Sequence, residues 1–241
     1  MPNHAEIYRR YPEQYHQLIA AQPDLRHDVQ RVFDYADKDI VDLGAGTGRL
    51  TAQLAPLARS ITALDQSEAM LSINKQRLLK LGLSNWQVQQ ADHRQLTLSD
   101  NSADLITAGW TLCYLAADDQ PDWARNLDLM MSEIQRVLRQ DGTVLIFETM
   151  GTLTSRPEPP AFLKAYYHAL ELEYGFVSRA IRLDYQFASV DEAEACAEFF
   201  FGSELARRIR NEQLTTVQEW AGMWWRRNSK ANWRLSSERT E

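Results

Sequence analysis

Cysteine is nearly missing from this chain: Cys113 and Cys196 are the only two, they lie far apart, and no Cys-x-x-Cys or suitably spaced His accompanies them. A disulfide framework and a zinc centre are therefore excluded as organising devices, and both thiols are expected to be reduced, partly buried fillers. Long apolar runs are missing too. No stretch approaches the ~18 residues that a membrane helix requires, and Met1 to Glu6 carry no basic region leading into an apolar one. Neither a membrane span, a signal peptide nor a membrane partner is expected, and the cytoplasm is the expected compartment. A surplus of cations is the third absence. With a formal net charge of −7 the chain is ill suited to a polyanion, because nucleic-acid affinity rests on Lys and Arg neutralising phosphates. From Ser203 onward Lys plus Arg number 8 against 5 for Asp plus Glu. This basic end reads as a solvated helix and tail.

What remains is ordinary in bulk and specific in one place. A length of 241 residues and an apolar fraction of 44% describe one α/β domain with additions. The specific place is Ile40 to Leu50, where an apolar run containing Asp42 meets glycines at the alternate positions Gly44, Gly46 and Gly48. Leu50, Leu54 and Leu57 then recur at helical spacing. Strand, tight turn and helix follow from that pattern. Glycines let the turn adopt unusual φ and let backbone N–H groups approach a ligand at a helix N-terminus without an intervening Cβ.

The spacing discriminates between nucleotides. A dinucleotide site requires Gly-x-Gly-x-x-Gly, whereas here the third glycine falls one residue early and Arg49 stands where glycine is wanted. Asp42, Gly44, Gly46 and Gly48 instead match an acid followed by x-Gly-x-Gly-x-Gly. The stretch thereby resembles motif I of the class I S-adenosylmethionine (AdoMet) methyltransferases. That resemblance extends over about residues 38 to 150, and it implies a seven-stranded, mostly parallel, doubly wound sheet of order 3-2-1-4-5-7-6 with the last strand antiparallel. It also implies AdoMet as cofactor, S-adenosylhomocysteine as product, and Gly44, Ala45, Gly46, Thr47 and Gly48 as the cradle.

Downstream signals fit the same frame. Ile61 to Leu64 read as a second strand ending in Asp65, which lies 19 residues beyond Gly46 and is placed to accept from ribose hydroxyls. Gln66 follows it, Ser67 reads as a helix N-cap with Glu68 in the first turn, and Met70 resembles the family residue beside the adenine. Trp86 to Gln90 make a third strand. Asp92 then matches the family position that accepts from the adenine amino group, with His93 contributing a backbone contact. Ser102 to Ala108 resemble the fourth strand, whose end, Gly109 to Leu115, is expected beneath the methionine moiety, with Ala108 and Trp110 against the cofactor. That end lacks the Asn or Asp-Pro-Pro-aromatic of amino-directed enzymes, the metal-binding Asp of catechol-type enzymes and a Pro-Cys nucleophile. No metal is therefore expected. Helical periodicity from Asp122 to Arg139, a stop at Asp141-Gly142 and the strand Thr143 to Glu148 complete the resemblance.

The flanks are read more coarsely. Residues 1 to 35 are helical in pattern, with Tyr8, Tyr11, Tyr15 and Leu18 at three- and four-residue intervals and a second short helix burying Val29, Val32 and Phe33. They are expected to form a lid, with Tyr15 against the cofactor. Residues 36 to 228 are the expected catalytic domain and 229 to 241 a disordered tail. Within the domain, aromatic residues from Phe162 mark a helix ending near Gly175, 176 to 188 a strand, Ser189 to Phe201 a helix, and Thr215 to Trp225 a last strand. Trp110, Tyr167, Trp224 and Trp225 either line an acceptor pocket or fill the core.

Methyl transfer from a sulfonium is an in-line displacement with an already activated donor, so orientation does most of the work and a base is needed only for a protonated acceptor. Glu148 and Tyr114 are the candidates for a base or an acceptor-orienting group. The expected function is methyl transfer to a small or medium-sized molecule by a monomer or homodimer. The alternatives from other classes are a non-catalytic AdoMet-binding regulatory or partner subunit and a nicotinamide oxidoreductase.

Overall fold

The computed structural model describes residues 2–229 and Trp233. Three helices lead in: α1 (His4–Arg10), α2 (Pro12–Ala20) and α3 (Arg26–Val32). The tyrosine-marked segment is thus two helices rather than one. Tyr11 leaves helical geometry and Pro12, lacking an N–H, opens the next helix, where its fixed φ is at home.

The body is a sheet of β1 (Asp39–Leu43), β2 (Ser60–Asp65), β3 (Trp86–Gln90), β4 (Ala103–Gly109), β5 (Leu138–Thr152), β6 (Val177–Arg182) and a long closing strand (Glu219–Arg227). Between them run α4 (Thr51–Leu54), α5 (Glu68–Lys80), α6 (Cys113–Ala116), α7 (Trp123–Val137), α8 (Lys164–His168), α9 (Val190–Phe200) and α10 (Ser203–Glu212). Two short strands, β7 (Tyr185–Gln186) and β8 (Thr216–Val217), pair with each other, which makes the closing strand β9. The sheet order is β3-β2-β1-β4-β5-β9-β6, with β9 antiparallel to both neighbours. Counting only sheet strands, this is the seven-stranded order read from the sequence.

The central strands are continuous apolar runs because helices cover both faces. Successive residues alternate between two cores: Val41, Ile106, Val144 and Ile146 face one, while Ile40, Leu105, Leu145 and Phe147 face the other. Tyr167 and Trp224 pack together in the first core with ring centroids 4.4 Å apart, and Trp225 packs against the second. Those three are core residues, and of the four aromatics only Trp110 borders the cleft. A third, smaller core joins Leu18 of α2 to Leu153, Tyr185 and the inner faces of α9 and α10.

Boundaries moved where tertiary contacts overrode pattern. The sixth strand stops at Arg182, since Tyr185 and Gln186 turn away to pair with β8. β5 runs on to Thr152 because β9 continues to pair with it. The expected tail falls almost wholly outside the described residues. Trp233 is the described residue deep within it, and it is buried beside Phe176 with its indole N–H donating to Asn228.

Candidate active site

The site begins at the turn after β1. Gly44, Gly46 and Gly48 all have positive φ, at 60°, 52° and 86°. A Cβ on Gly44 would stand 1.9 Å from Thr111 Oγ1, so the third wall of the turn is a side chain from beyond β4. Ala45 N donates to Leu64 O, and Gly46 N donates to Asp65 Oδ2 at 2.9 Å. The tips of β1 and β2 are thereby joined. Asp65 Oδ1 also accepts from Ser67 N at 2.8 Å, which leaves further lone pairs facing the cleft. Burial raises its pKa, and the backbone N–H groups of Ser67, Gly46 and Gln66 oppose that shift by favouring the anion.

Behind the turn lies a polar scaffold. Asp42 is buried, with Oδ2 accepting from Thr51 Oγ1 at 2.6 Å and Oδ1 from Thr107 Oγ1 at 2.8 Å. Desolvation pushes its pKa up to about 6 despite those bonds. Arg77 on α5 donates to Thr47 O at 2.8 Å and Gly48 O at 2.7 Å, and Asn74 donates to Thr51 Oγ1. Neither Asn74 nor Arg77 was expected here. They lie some 30 residues from the turn, and no local pattern reveals a side chain that braces a distant backbone.

In front of the turn runs a cleft of about 660 Å³. Gly44, Gly46, Asp65, Gln66, Met70, His93, Trp110, Tyr15 and Tyr114, all of them expected site residues, border it. A Cβ on Gly46 would meet Met70 Cε at 3.4 Å, so the thioether lies just above the turn. His93 is held neutral at pH 7. Burial drives its pKa down to about 4, and Nε2 shares a hydrogen with Thr111 Oγ1 at 2.9 Å. Tyr8, Ser67, Glu68, Thr111 and Leu115 also border the cleft. Asp42, Ala45, Thr47 and Arg49 instead line a smaller cavity that shares Tyr15, Gly44, Gly46, Gly109 and Trp110 with it.

Four expected site residues stand elsewhere. Gly48 packs against Asn74, and Ala108 is buried within β4. Asp92 does not border the cleft, because Arg94 takes its carboxylate at 2.6 Å and holds its pKa below the usual range. Glu148 is completely buried rather than at an open strand tip, since β5 continues past it. Its Oε1 accepts from Cys113 N at 3.1 Å and Tyr166 Oη at 3.5 Å, and burial pushes its pKa up to about 7. It supports the start of α6 instead of meeting an acceptor.

Tyr114, the next residue on α6, does face the cleft. Its hydroxyl meets Tyr8 Oη at 2.5 Å and His4 Nδ1 at 3.4 Å. The rings of Tyr8 and Tyr15 lie edge-on at 5.1 Å, and Phe200 of α9 stacks on His4 at 4.3 Å. Burial raises the hydroxyl pKa values of Tyr8 and Tyr114 well above 10 and that of Tyr15 to about 12, so all three are neutral. The cleft therefore has a charged end at Asp65 and a mainly aromatic roof, with Arg9 of α1 at its border. Among the described residues no group of three or more His, Cys, Asp or Glu side chains is arranged to hold a metal ion.

The glycine cradle, which a Cβ would fill, and the buried carboxylate beside it fit a nucleoside with an amino-acid extension. Residues 41–146 match a methyltransferase-domain family. A demethylmenaquinone methyltransferase from Bacillus velezensis is 29% identical over 181 residues, covering 74% of this chain and 71% of that protein. Phosphoethanolamine N-methyltransferase 1 from Caenorhabditis elegans is 34% identical over 113 residues, 47% of this chain. The aligned part spans 22% of that enzyme and 47% of a ubiquinone/menaquinone biosynthesis C-methyltransferase from Teredinibacter turnerae, less than half the length of either relative. Among solved structures, the YcgJ protein of Bacillus subtilis superposes with a TM-score of 0.55 at 16% identity, covering 90% of this chain and all of that one, which shows the fold. The turn, the strand order and the family match agree, and residues 41–146 form a class I, Rossmann-like AdoMet-dependent methyltransferase domain.

Proposed function

We propose that this protein transfers the methyl group of AdoMet to a small or medium-sized molecule held under the aromatic roof. The observation that carries this reading is the shape of the cleft, in which Asp65 stands at one end and the neutral hydroxyls of Tyr8, Tyr15 and Tyr114 close the other. AdoMet supplies an activated methyl on a sulfonium. The chain's own residues supply position: Asp65 accepts from the ribose, Gly44 and Gly46 let backbone approach, and Met70 packs beside the base.

The roof suits an acceptor with an apolar body, and Arg9 of α1 adds a cation at its border. Tyr114 orients the acceptor by hydrogen bonding, and the tyrosine rings exclude water from the methyl. A helix and a strand end enclose the site on the acceptor side, which favours a molecule small enough to enter over a nucleic acid or a folded protein. Residues 1–35 act as the lid over a domain of residues 36–228. No metal takes part, because the residues at the tip of β4, Ala108, Gly109 and Trp110, offer no carboxylate.

Methyl-labelled AdoMet supplied with a metabolite extract and EDTA tests the reading, with products identified by mass spectrometry. A labelled small molecule that forms only with active protein is the expected result. Binding of S-adenosylhomocysteine without any labelled product would turn the protein into a cofactor-binding partner subunit, and loss of transfer on chelation would require a metal.

A further inference from the structure

Three polar side chains of the roof form a hydrogen-bonded row whose direction follows from one backbone atom. His4 Nε2 lies 3.0 Å from Phe200 O, Tyr114 Oη lies 3.4 Å from His4 Nδ1, and Tyr8 Oη meets Tyr114 Oη. A carbonyl oxygen only accepts, so the neutral imidazole carries its hydrogen on Nε2 and presents a lone pair at Nδ1. Tyr114 therefore donates to His4. Its single hydrogen is then committed, and its contact with Tyr8 is a hydrogen bond only if Tyr8 is the donor. The Tyr8 oxygen keeps lone pairs for a molecule in the cleft, which both tyrosines border.

A row of this polarity takes up a proton at the cleft and delivers it at His4. Burial keeps the two phenols neutral, so each passes one proton on as it receives another. His4 is the terminus, because an imidazole holds a second proton as a cation. Its ring is stacked on Phe200 with centroids 4.3 Å apart and planes 5° from parallel, and the face of an aromatic ring favours a cation. His4 is also half-buried, which leaves it open to water that carries the proton away.

The row bears on the choice of acceptor. An amine attacks through a lone pair it already has, and its product sheds a proton afterwards. A hydroxyl becomes a strong nucleophile only as its proton leaves. Arg9 borders the cleft, but so do Asp65 and Glu68, and charge alone selects neither sign of acceptor.

On the methyl-transfer reading of the cleft, on which this rests, we propose that the acceptor is a hydroxyl compound whose proton passes through Tyr8 and Tyr114 to His4. The acceptor oxygen keeps the electron pair of its O–H bond and forms a bond to the methyl carbon with a lone pair, while the pair of the broken C–S bond stays on sulfur. The acceptor proton goes to Tyr8 Oη, the Tyr8 proton to Tyr114 Oη and the Tyr114 proton to His4 Nδ1. One positive charge thereby leaves the sulfonium and one appears on the imidazole. Tyr8 is the group that meets the acceptor, and Tyr114 and His4 are positioning residues that act through it.

The row is tested first without turnover. Nitrogen NMR of the imidazoles at pH 8, with the His4 signals identified by their loss in His4→Phe, should show the hydrogen on Nε2, and Tyr114→Phe should shift Nδ1. A hydrogen on Nδ1 overturns the relay. Transfer is then followed with AdoMet carrying a carbon-13 methyl group and a metabolite extract, and the atom that receives the methyl is read from its carbon shift. Label on oxygen is expected; label on nitrogen or carbon overturns the hydroxyl assignment. Tyr8→Phe and His4→Phe keep their rings in place, and each should slow transfer by about a hundredfold or more while the affinity for S-adenosylhomocysteine changes less than about twofold. Added imidazole should restore part of the activity of His4→Ala, whereas pyrazole, of the same shape but a far weaker base, should not. Rescue by both alike, or full activity of His4→Phe, overturns the relay and leaves methyl transfer standing. Absence of any labelled product with wild type overturns the methyl-transfer reading and this proposal with it.

Discussion

The floor and the roof of the cleft are held together by different physics. In the floor, the tips of β1 and β2 and the turn between β1 and α4 are pinned by buried or half-buried polar contacts: Asp42 to Thr51 and Thr107, Arg77 to two turn carbonyls, and Asp65 to Gly46 N. The roof is held mainly by ring contacts between elements distant in sequence, His4 and Tyr8 against Phe200 and Tyr11 against Phe199. Removing one partner of a buried polar set strands the other, whereas ring edges slide and re-form at small cost. A binding site for an invariant cofactor gains from the first arrangement, and a gate for an acceptor from the second.

The comparison breaks most severely at Gly44. Gly44→Val places a side chain onto Thr111 at a φ of 60°, and it should cost about 2–4 kcal/mol of stability and abolish S-adenosylhomocysteine binding. Thermal unfolding with calorimetric titration checks both. A variant that binds normally would show that the turn has room to spare.

Glu148 sharpens the comparison from beneath the roof. Its folded pKa of about 7 lies above the ordinary glutamate value, so the folded state holds a proton that the unfolded state has lost. Stability is therefore expected to fall as pH rises from about 4.5 to about 7, and to level off above. Glu148→Gln, uncharged throughout, should flatten that part of the profile by an amount on the order of 3 kcal/mol. Denaturant titrations at pH 5 and pH 8 on both proteins measure it; parallel profiles would mean that Glu148 does not titrate in that range.

Asp65→Ala, on the floor, should weaken S-adenosylhomocysteine by about 1–3 kcal/mol, because ribose hydroxyls lose a charged acceptor. An unchanged isotherm would remove the ribose assignment. The smallest binding effect is expected in the roof. Deleting residues 1–10 removes α1 with Tyr8 yet keeps Leu18 of α2, which is buried in the third core. Turnover should drop about tenfold or more while cofactor affinity changes little, since closure positions the acceptor and does not hold the nucleoside. Hydrogen exchange in α1 should slow on adding S-adenosylhomocysteine more than in α7. Exchange unaffected by ligand, together with full activity of the truncation, would reduce the tyrosines to packing residues.

Legibility follows the same division. Motif glycines, the acid 19 residues on, and apolar strands of known order are local or evenly spaced features, and the floor could be read from them. Ser67 was read as an N-cap and is so, accepting from Met70 N, and in the helix read from Ser189 it is Ser189 that caps, accepting from Glu192 N. Asp92 was misplaced because its competitor Arg94 is a rotamer away, and rotamers leave no trace in spacing. Glu148 was misplaced because the length of β5 is decided by its pairing with β9, some 70 residues later. Thr111 was read as part of a strand end, and only the approach of Gly44 reveals it as a wall of the turn.

By itself, then, the order of residues determined the parallel sheet, the glycine turn and the carboxylate that follows it, because each depends on neighbours within about one βαβ unit. Tertiary structure decided the rest: that α9 roofs a cleft begun 150 residues earlier, that Asp42 braces the turn from behind, and that Arg49 points into a side cavity over Trp110. Those outcomes depend on which long side chains meet after the chain has closed on itself. Burial then sets their charge, and burial is a property of the assembled fold.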